Sequence, residues 1–217
     1  RAMELSPNHF PAVRAAAVAL GYLRYLRGGP GRGLELRQVR RARRQDIDGV
    51  GHKYYLELEL GDVLDKDTSV TCTAEVLFHL GSTTSAPDVQ VAVQGELRST
   101  QEADQEFYNQ IRSLEKELEA ENIPDSDGNV PPGLEPIQLL ALVASGYVGW
   151  QNSTENTHFN LAQVKHVKQV KRTDEDLQFD YVILLHEMVS QEVLPWQVTL
   201  LWHPQHGARV SHCHALG

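Results

Sequence analysis

The chain opens with an apolar stripe at helical spacing. Asn8 and Pro11 fit the start of a helix, because a short polar side chain and an early proline are typical of helix N-termini. The run Gly28-Gly29-Pro30-Gly31 then ends the pattern. The pattern predicts one amphipathic helix near 13–26. Its apolar face comprises Val13, Ala16, Ala17, Leu20, Leu23 and, more loosely, Leu26.

Alternating segments follow this helix. Residues 34–44 are basic and partly alternating, and Tyr54 to Leu60 alternates cleanly, which predicts a half-buried strand. Val70 to Leu80 and Val89 to Leu97 predict two further strands, separated by a polar turn over Gly81 to Pro87. The first half of the chain is therefore expected to form one helix and an antiparallel sheet.

The second half repeats this order after a connecting segment. Apolar residues at helical spacing predict a connecting helix over 101–121, followed by a loop over 122–133 and a second apolar helix over 134–150. Strands are expected over 159–172, 177–185 and 196–202, with a turn at 173–176. The connecting helix carries Phe107, Ile111, Leu114 and Leu118 on its apolar side.

The order of elements predicts an α+β fold in two similar halves. We assign residues 1–98 to an N-terminal subdomain, 99–130 to a connecting segment with a helix, and 131–217 to a C-terminal subdomain. Each half has a single helix to cover its sheet, so the two helices are expected to pack together at a pseudo-twofold seam.

An internal repeat supports this division. Gly21-Tyr22 and Tyr25 match Gly146-Tyr147 and Trp150 at an offset of 125 residues. The same offset relates the Leu36 to Arg40 segment to the Leu161 to Lys165 segment. Short apolar patterns recur by chance, but two registers that share one offset favour gene duplication. An offset of 124 relates Val76, Phe78 and His79 to Leu200, Trp202 and His203.

Composition narrows the class of protein. The net charge of -9 argues against a nucleic-acid binder, and no apolar run approaches the ~18 residues of a membrane span. Met3 is taken as the natural start, and because no apolar leader follows it, a cytoplasmic monomer is expected. Cys72 and Cys213 are too few for a disulfide framework.

Enzyme motifs are incomplete. His186-Glu187 resembles the start of a zinc-protease HExxH helix, but Ser190 stands where the second histidine is required. The nucleophile-elbow, P-loop and Rossmann glycine patterns are also missing from the sequence. We therefore expect a protein that is not an enzyme and that needs no cofactor. A cluster of His203, His206, His212, Cys213 and His214 could suggest zinc, but exposed histidines in a frayed tail are favoured, so no metal is expected.

Several longer segments carry a resemblance to a known family. They include Gly51-His52-Lys53-Tyr54 and Thr71 to Leu77 in the first half, and Gly146 to Glu155 and Asp180 to His186 in the second. With Pro195-Trp196-Gln197 and Leu201 to Gln205, these segments resemble the latexin family of metallocarboxypeptidase inhibitors. The resemblance implies two tandem cystatin-like modules, each a helix packed on a curved antiparallel sheet, joined by a connecting helix.

The resemblance also implies a function. It implies inhibition of A/B-type zinc metallocarboxypeptidases, with the enzyme bound where the two subdomains meet and its active-site funnel capped. The zinc would belong to the target. Cystatins that block papain-like enzymes present Gln-x-Val-x-Gly, whereas Gln163-Val164 and Gln169-Val170 lack that glycine, so papain-like targets are not expected.

Two segments are candidates for the inhibitory contact. The stretch from His186 to Leu194 lies between two predicted strands and is longer than a tight hairpin, so it is either a functional loop, a solvated tip or extended strand. The resemblance favours an inhibitory loop there, together with part of the connecting segment. The candidate contacts are His186, Glu187, Met188, Val189, Ser190, Gln191, Glu192, Asn122, Ile123, Pro124 and Asp125.

Basic residues suggest an alternative function. On sheet surfaces they would project rows of cations, which either protect sheet edges or bind a heparin-like polyanion. The alternative is therefore a non-inhibitory cystatin-like scaffold that binds polyanions or other proteins. The candidate polyanion-binding residues are Arg37, Arg40, Arg41, Arg43 and Arg44 in the first half and Lys165, Lys168, Lys171 and Arg172 in the second.

Overall fold

The computed structural model describes residues 1–81 and 85–217. Its first module contains one helix and a five-stranded antiparallel sheet of order β1-β2-β3-β4-β5. The elements are β1 (Met3–Leu5), α1 (Phe10–Arg27), β2 (Leu34–Ile47), β3 (Gly51–Asp62), β4 (Asp65–His79) and β5 (Asp88–Gln94). The turn expected over 81–87 includes residues 82–84, which lie outside the described residues.

The second module repeats the same arrangement. Its sheet has the order β10-β9-β8-β7-β6, and its helix α3 corresponds to α1. The elements are β6 (Glu119–Ile123), α3 (Glu135–Asn152), β7 (Phe159–Val170), β8 (Leu177–Glu187), β9 (Glu192–His203) and β10 (Gly207–Ala215), and α2 (Gln101–Arg112) precedes them. The α+β fold with two tandem modules, each a helix on an antiparallel sheet, is confirmed.

The repeat is visible in the structure at the predicted offset. Helix α1 begins and ends 125 positions before α3 does, and β2 begins 125 positions before β7. The two β-bulges of β2, after Leu36 and Val39, recur in β7 after Leu161 and Val164 at the same offset. Bulges bend a strand and increase its twist, so the duplicated bulges curve both sheets in the same way.

Each module buries its own core between helix and sheet. In β3 the side chains of Tyr54, Leu56, Leu58 and Leu60 are buried, as the alternation predicted, and α1 meets them with small residues such as Ala12, Ala15 and Ala19. Small side chains let the sheet approach the helix axis closely. In the second module Tyr181 and Ile183 of β8 are completely buried against α3 residues such as Leu140.

The connecting helix is shorter than predicted. It ends at Arg112, and the expected helix over 101–121 is wrong beyond that point. Phe107 and Ile111 are buried in the core of the second module, and Leu114 and Leu118 also pack there without being helical. Residues 119–123 instead form β6, because pairing with β7 satisfies their backbone groups. The second sheet thus takes its first strand from the connecting segment.

The C-terminus is a strand and not a frayed tail. β10 pairs with β9 from Gly207↔His203 to Ala215↔Trp196, with a bulge between Val210 and His212. Its backbone hydrogen bonds order this segment. No helix in the described ranges is long and apolar enough to cross a membrane.

Candidate functional site

The candidate inhibitory loop is a tight hairpin. β8 continues to Glu187 and β9 begins at Glu192, so only residues 188–191 form the turn. The interval 186–194 therefore consists mostly of extended strand, which was one of the interpretations left open by the sequence. The hairpin projects a short tip from the end of the second sheet.

The tip is held from inside by a buried carboxylate. Glu187 is only 6% exposed. Its Oε2 accepts the backbone N–H groups of His158 and Val189, both at 2.9 Å, and its Oε1 accepts that of Ser190 at 2.9 Å. Burial acts to raise the pKa of Glu187, but these donors stabilise the anion, and the net shift of the pKa is downward. Glu187 therefore supports the turn and is not free to contact a partner.

The outer surface of the tip is partly apolar. Met188, Val189 and Val193 are 39%, 45% and 56% exposed. Gln191 has a positive φ of 63°, and its side-chain amide folds back over the turn, donating to Met188 O at 2.6 Å and lying 3.2 Å from His186 Nε2. Ser190 and Glu192 are exposed. The tip thus presents apolar side chains beside one carboxylate.

The position of His186 excludes the zinc-protease interpretation. His186 and Glu187 lie on β8, whereas HExxH places its two histidines one turn apart on a helix. In the described ranges, no group of three or more His, Cys, Asp or Glu residues is placed to hold a metal ion.

The second candidate segment lies at the end of β6. Asn122 has a positive φ of 56°, and the bond between Ile123 and Pro124 is cis. Ile123 is completely buried, so it contributes to the core and not to a surface. Asp125 closes the following turn, because its Oδ1 accepts the backbone N–H groups of Asp127 at 3.0 Å and Asn129 at 2.9 Å.

Strand β7 brings the two candidate segments to the same part of the sheet. Its first residues, Phe159 and Asn160, pair with Glu187 and His186 of β8. On its other side Val164 pairs with Ile123, and Gln163 Nε2 donates to Pro124 O at 2.8 Å. At ~3.3 Å per residue and ~4.8 Å per strand, the hairpin and the segment 122–125 lie on the order of 15 Å apart.

The start of β7 is also close to the junction of the modules, where α1 and α3 cross. A Cβ added to Gly146 would lie 2.5 Å from Gly21 O, and one added to Gly21 would lie 2.8 Å from Gly146 O. Only glycine permits this approach. The predicted packing of the two helices is therefore confirmed, and the two glycines are equivalent at the offset of 125.

Four aromatic side chains contact one another across the junction of the modules, beside these glycines. Tyr22 of α1 lies edge-on to Trp150 of α3 at 4.7 Å, and the equivalent pair, Tyr147 and Tyr25, is also separated by 4.7 Å. Tyr25 packs against the second core and Trp150 against the first. The indole N–H of Trp150 donates to Pro87 O at 2.9 Å. The sequence repeat matched these residues between the modules, but it did not predict that Tyr25 and Trp150 each pack against the core of the other module.

Glu155 is a further link that the sequence analysis missed. It follows α3, yet its carboxylate contacts the first module: Oε2 accepts from the Tyr54 hydroxyl at 2.8 Å, and Oε1 lies 2.5 Å from His52 Nδ1. Arg44 approaches the same carboxylate at 4.0 Å. The equivalent position in the first module is Pro30, so the repeat gave no signal for this contact.

The basic residues of the first module are mostly paired with acids. Arg40 contacts Glu59 at 2.8 Å and Arg41 contacts Glu4 at 2.7 Å. Three other arginines also have partners: Arg44 lies 2.9 Å from Asp46, Arg43 lies over the Tyr55 ring, and Arg37 donates to the backbone of Thr68. Pairing lowers the local positive potential that a polyanion would require.

The corresponding residues of the second module are more open. Lys165, Lys168 and Lys171 are exposed, and no ion pair to them is found within residues 1–81 and 85–217. Arg172 contacts Asp174 at 2.6 Å. The predicted heparin-like polyanion site stays a prediction, with these lysines as its strongest part.

The remaining motifs have structural roles. Gln163 and Gln169 both lie within β7, and Gln169 accepts the Leu118 N–H at 3.0 Å, so neither glutamine forms a projecting loop. Cys72 and Cys213 are free thiols, and burial raises the pKa of Cys72 to about 11. A thiol with a raised pKa is a weak nucleophile.

Comparison with known proteins identifies the family. The sequence profile of the family described as Latexin matches residues 5–216. The chain belongs to the latexin family. It is 45% identical to Latexin from Mus musculus and 44% identical to Latexin from Homo sapiens, over 211 residues in each case, which covers 97% of this chain and 95% of each relative.

A more distant relative is similar along nearly the whole chain. Ovocalyxin-32 from Gallus gallus is 34% identical over 208 residues, covering 96% of this chain and 75% of that protein. Membership of the latexin family confirms the resemblance found in the sequence. It also supports the expectation of a protein that is not itself an enzyme.

Proposed function

We propose that this protein inhibits zinc metallocarboxypeptidases of the A/B type by placing its β8–β9 hairpin at the mouth of the active-site funnel. The observation that carries the proposal is the buried Glu187 carboxylate, which fixes the turn through three backbone hydrogen bonds. A fixed loop loses little conformational entropy on binding, so most of its contact energy contributes to affinity.

The chemistry of the tip suits a funnel that accepts the ends of peptide chains. Met188 and Val189 offer apolar contact, and Glu192 offers a carboxylate at the base of the turn. The nearby segment at Pro124 and Asp125 would widen the contact toward the ~1,600 Å² of a standard protein–protein interface. The target supplies the zinc, and the inhibitor supplies a rigid surface.

The decisive experiment measures inhibition of a pancreatic-type carboxypeptidase with a chromogenic C-terminal substrate. The Gln191→Ala/Glu192→Ala variant is expected to inhibit at least ~10-fold more weakly, equal to about 1.4 kcal/mol of binding free energy. Gln191 closes the turn over Met188 O, and Glu192 is the exposed carboxylate.

A matched control lies in the equivalent hairpin of the first module. Lys66 and Asp67 are exposed polar residues beside the β3–β4 turn, and Lys66→Ala/Asp67→Ala should inhibit like the parent. Equal inhibition by the parent and the Gln191/Glu192 variant would show that the hairpin is not the decisive contact. Absence of inhibition by the parent would reject the proposed function.

A further inference from the structure

A cavity of about 250 Å³ lies at the junction of the two modules. It is bounded by α1 and α3 beside the Gly21–Gly146 contact, and by the first residues of β2 and β7. Both modules therefore contribute to its walls. The volume is just below the ~300 Å³ at which pockets for small molecules begin, so its occupant must be small.

Arg24 provides an unusual charge in this cavity. It is partly buried, and this burial lowers its pKa to about 10. Its Nε donates to Leu34 O at 2.8 Å, but neither terminal nitrogen makes a hydrogen bond within the described ranges 1–81 and 85–217. A guanidinium has five N–H donors, so the terminal nitrogens of Arg24 have donors left for an anion that enters the cavity.

The other charges near the cavity leave it positive. Arg14 also lines the cavity, and its guanidinium donates to Glu155 O at 3.3 Å. Of the lining residues within 1–81 and 85–217, Glu35 alone is a carboxylate, and it also lies 3.9 Å from Arg37, so a third cation shares its charge. Among the described lining residues, two guanidinium groups, those of Arg14 and Arg24, thus accompany a single carboxylate.

The hydroxyl groups of the lining do not compensate for this charge. The hydroxyl groups donate to backbone carbonyls: Ser145 to Leu142 O, Ser153 to Gly149 O and Thr157 to Thr154 O. Apolar side chains of the wall include Val13, Val18, Leu36, Leu161 and Leu185, and they lie beside the polar side chains of His158 and Asn160. A cationic end with apolar walls matches a small monocarboxylate that carries a short hydrocarbon tail.

We propose that the cavity binds a small aliphatic carboxylate, with the carboxylate on the free guanidinium nitrogens of Arg24 and the tail between the two modules. Arg–carboxylate pairs form two parallel hydrogen bonds, which the terminal nitrogens of Arg24 can supply. Because both modules line the site, its ligand would connect them. His158 of the lining also donates to Glu187 of the hairpin, but the proposed binding does not depend on carboxypeptidase inhibition.

Isothermal titration calorimetry of the full chain with sodium hexanoate tests this proposal. Saturable one-to-one binding is expected, with 1-hexanol binding at least ten-fold more weakly because it lacks the charge. The Arg24→Met variant should bind hexanoate at least ten-fold more weakly. Arg27→Met, an exposed arginine of the same helix turn, should bind like the parent.

A second variant keeps the test decisive if Arg24→Met does not fold. Glu35 is 38% exposed in its side chain, so Glu35→Gln should fold, and it should tighten hexanoate binding about three-fold because it removes the competing carboxylate. Equal affinity for hexanoate and hexanol, or unchanged affinity in both the Arg24 and Glu35 variants, would overturn the assignment. Absence of saturable binding would show a cavity that holds water only.

Discussion

The two equivalent hairpins of the modules, β3–β4 and β8–β9, share one internal design. Asp62 is 3% exposed, and its Oδ1 accepts the backbone N–H groups of Gly33 at 3.2 Å and Leu64 at 2.9 Å. Glu187 accepts from His158 and Val189, which are equivalent to Gly33 and Leu64 at the offset of 125. Each turn is therefore fixed by a buried carboxylate that also accepts a hydrogen bond from the residue just before β2 or β7.

The hairpins differ in what surrounds this carboxylate. The first turn has two residues, and Asp62 Oδ2 pairs at 3.2 Å with Arg98, the last residue of the N-terminal subdomain. The second turn has four residues, and Glu187 uses its remaining oxygen for Ser190 N. The buried carboxylate that builds the turn is thus present in both modules, while the second turn is longer because β9 begins five residues after Glu187 and β4 begins three residues after Asp62.

Removing the carboxylates should give the largest effects. Glu187→Ala leaves three backbone donors without their acceptor, and we expect it to lower the free energy of unfolding by about 3 kcal/mol. Asp62→Ala should cost about as much, because it removes two backbone bonds and the ion pair with Arg98. Urea unfolding of the full chain measures both changes.

The two carboxylate variants should also differ in how well they inhibit the carboxypeptidase. Glu187→Ala should also weaken inhibition per folded molecule, whereas Asp62→Ala should not. The exposed Glu192→Ala variant, as a stability control, should stay within ~0.5 kcal/mol of the parent. A Glu187→Ala protein as stable as the parent would contradict the role given to the buried carboxylate.

Glycine substitutions at the contact between α1 and α3 should have the next largest effect on stability. Gly146→Ala places a methyl group 2.5 Å from Gly21 O, and we expect a loss of about 2 kcal/mol as the helices are forced apart. Gly149→Ala, one turn along the same helix, meets nothing closer than Phe159 Cβ at 3.6 Å, and it should stabilise the helix by up to ~1 kcal/mol.

Thermal unfolding of both glycine variants distinguishes close packing from helix propensity. If Gly146→Ala raised the melting temperature as Gly149→Ala is expected to do, the two helices would not be in close contact at the seam.

The smallest expected effect is a pH dependence specific to the second hairpin. The pKa of Glu187 is lowered in the folded protein, so its contribution to stability is present above the unfolded pKa of ~4.3 and is lost as pH falls through the folded pKa. The stability difference between the parent and Glu187→Gln should therefore be largest near neutral pH and shrink in acid.

Urea unfolding at a series of pH values measures this difference. Glu192→Gln is the control, and its difference from the parent should not follow the same curve. A difference for Glu187→Gln that stayed constant with pH would show that the charge of Glu187 does not support the turn.

The sequence by itself determined the repeated framework. Helical spacing and the glycines at 28–31 fixed α1, and the alternation of Tyr54 to Leu60 fixed the buried face of β3. The constant offset of 125 fixed the equivalence of the modules, including Gly21 and Gly146. These features are local or repeated, so a single strand or helix carries enough signal to define them.

Only the tertiary structure decided the rest. Leu114 and Leu118 have helical spacing, yet the backbone after Arg112 leaves the helix, because β7 offers hydrogen-bond partners to residues 119–123. β10 forms for the same reason beside β9. The contact of Glu155 with Tyr54 joins residues 101 positions apart, and no local pattern specifies such a pair, because it forms only once the two helices have packed and brought the modules together.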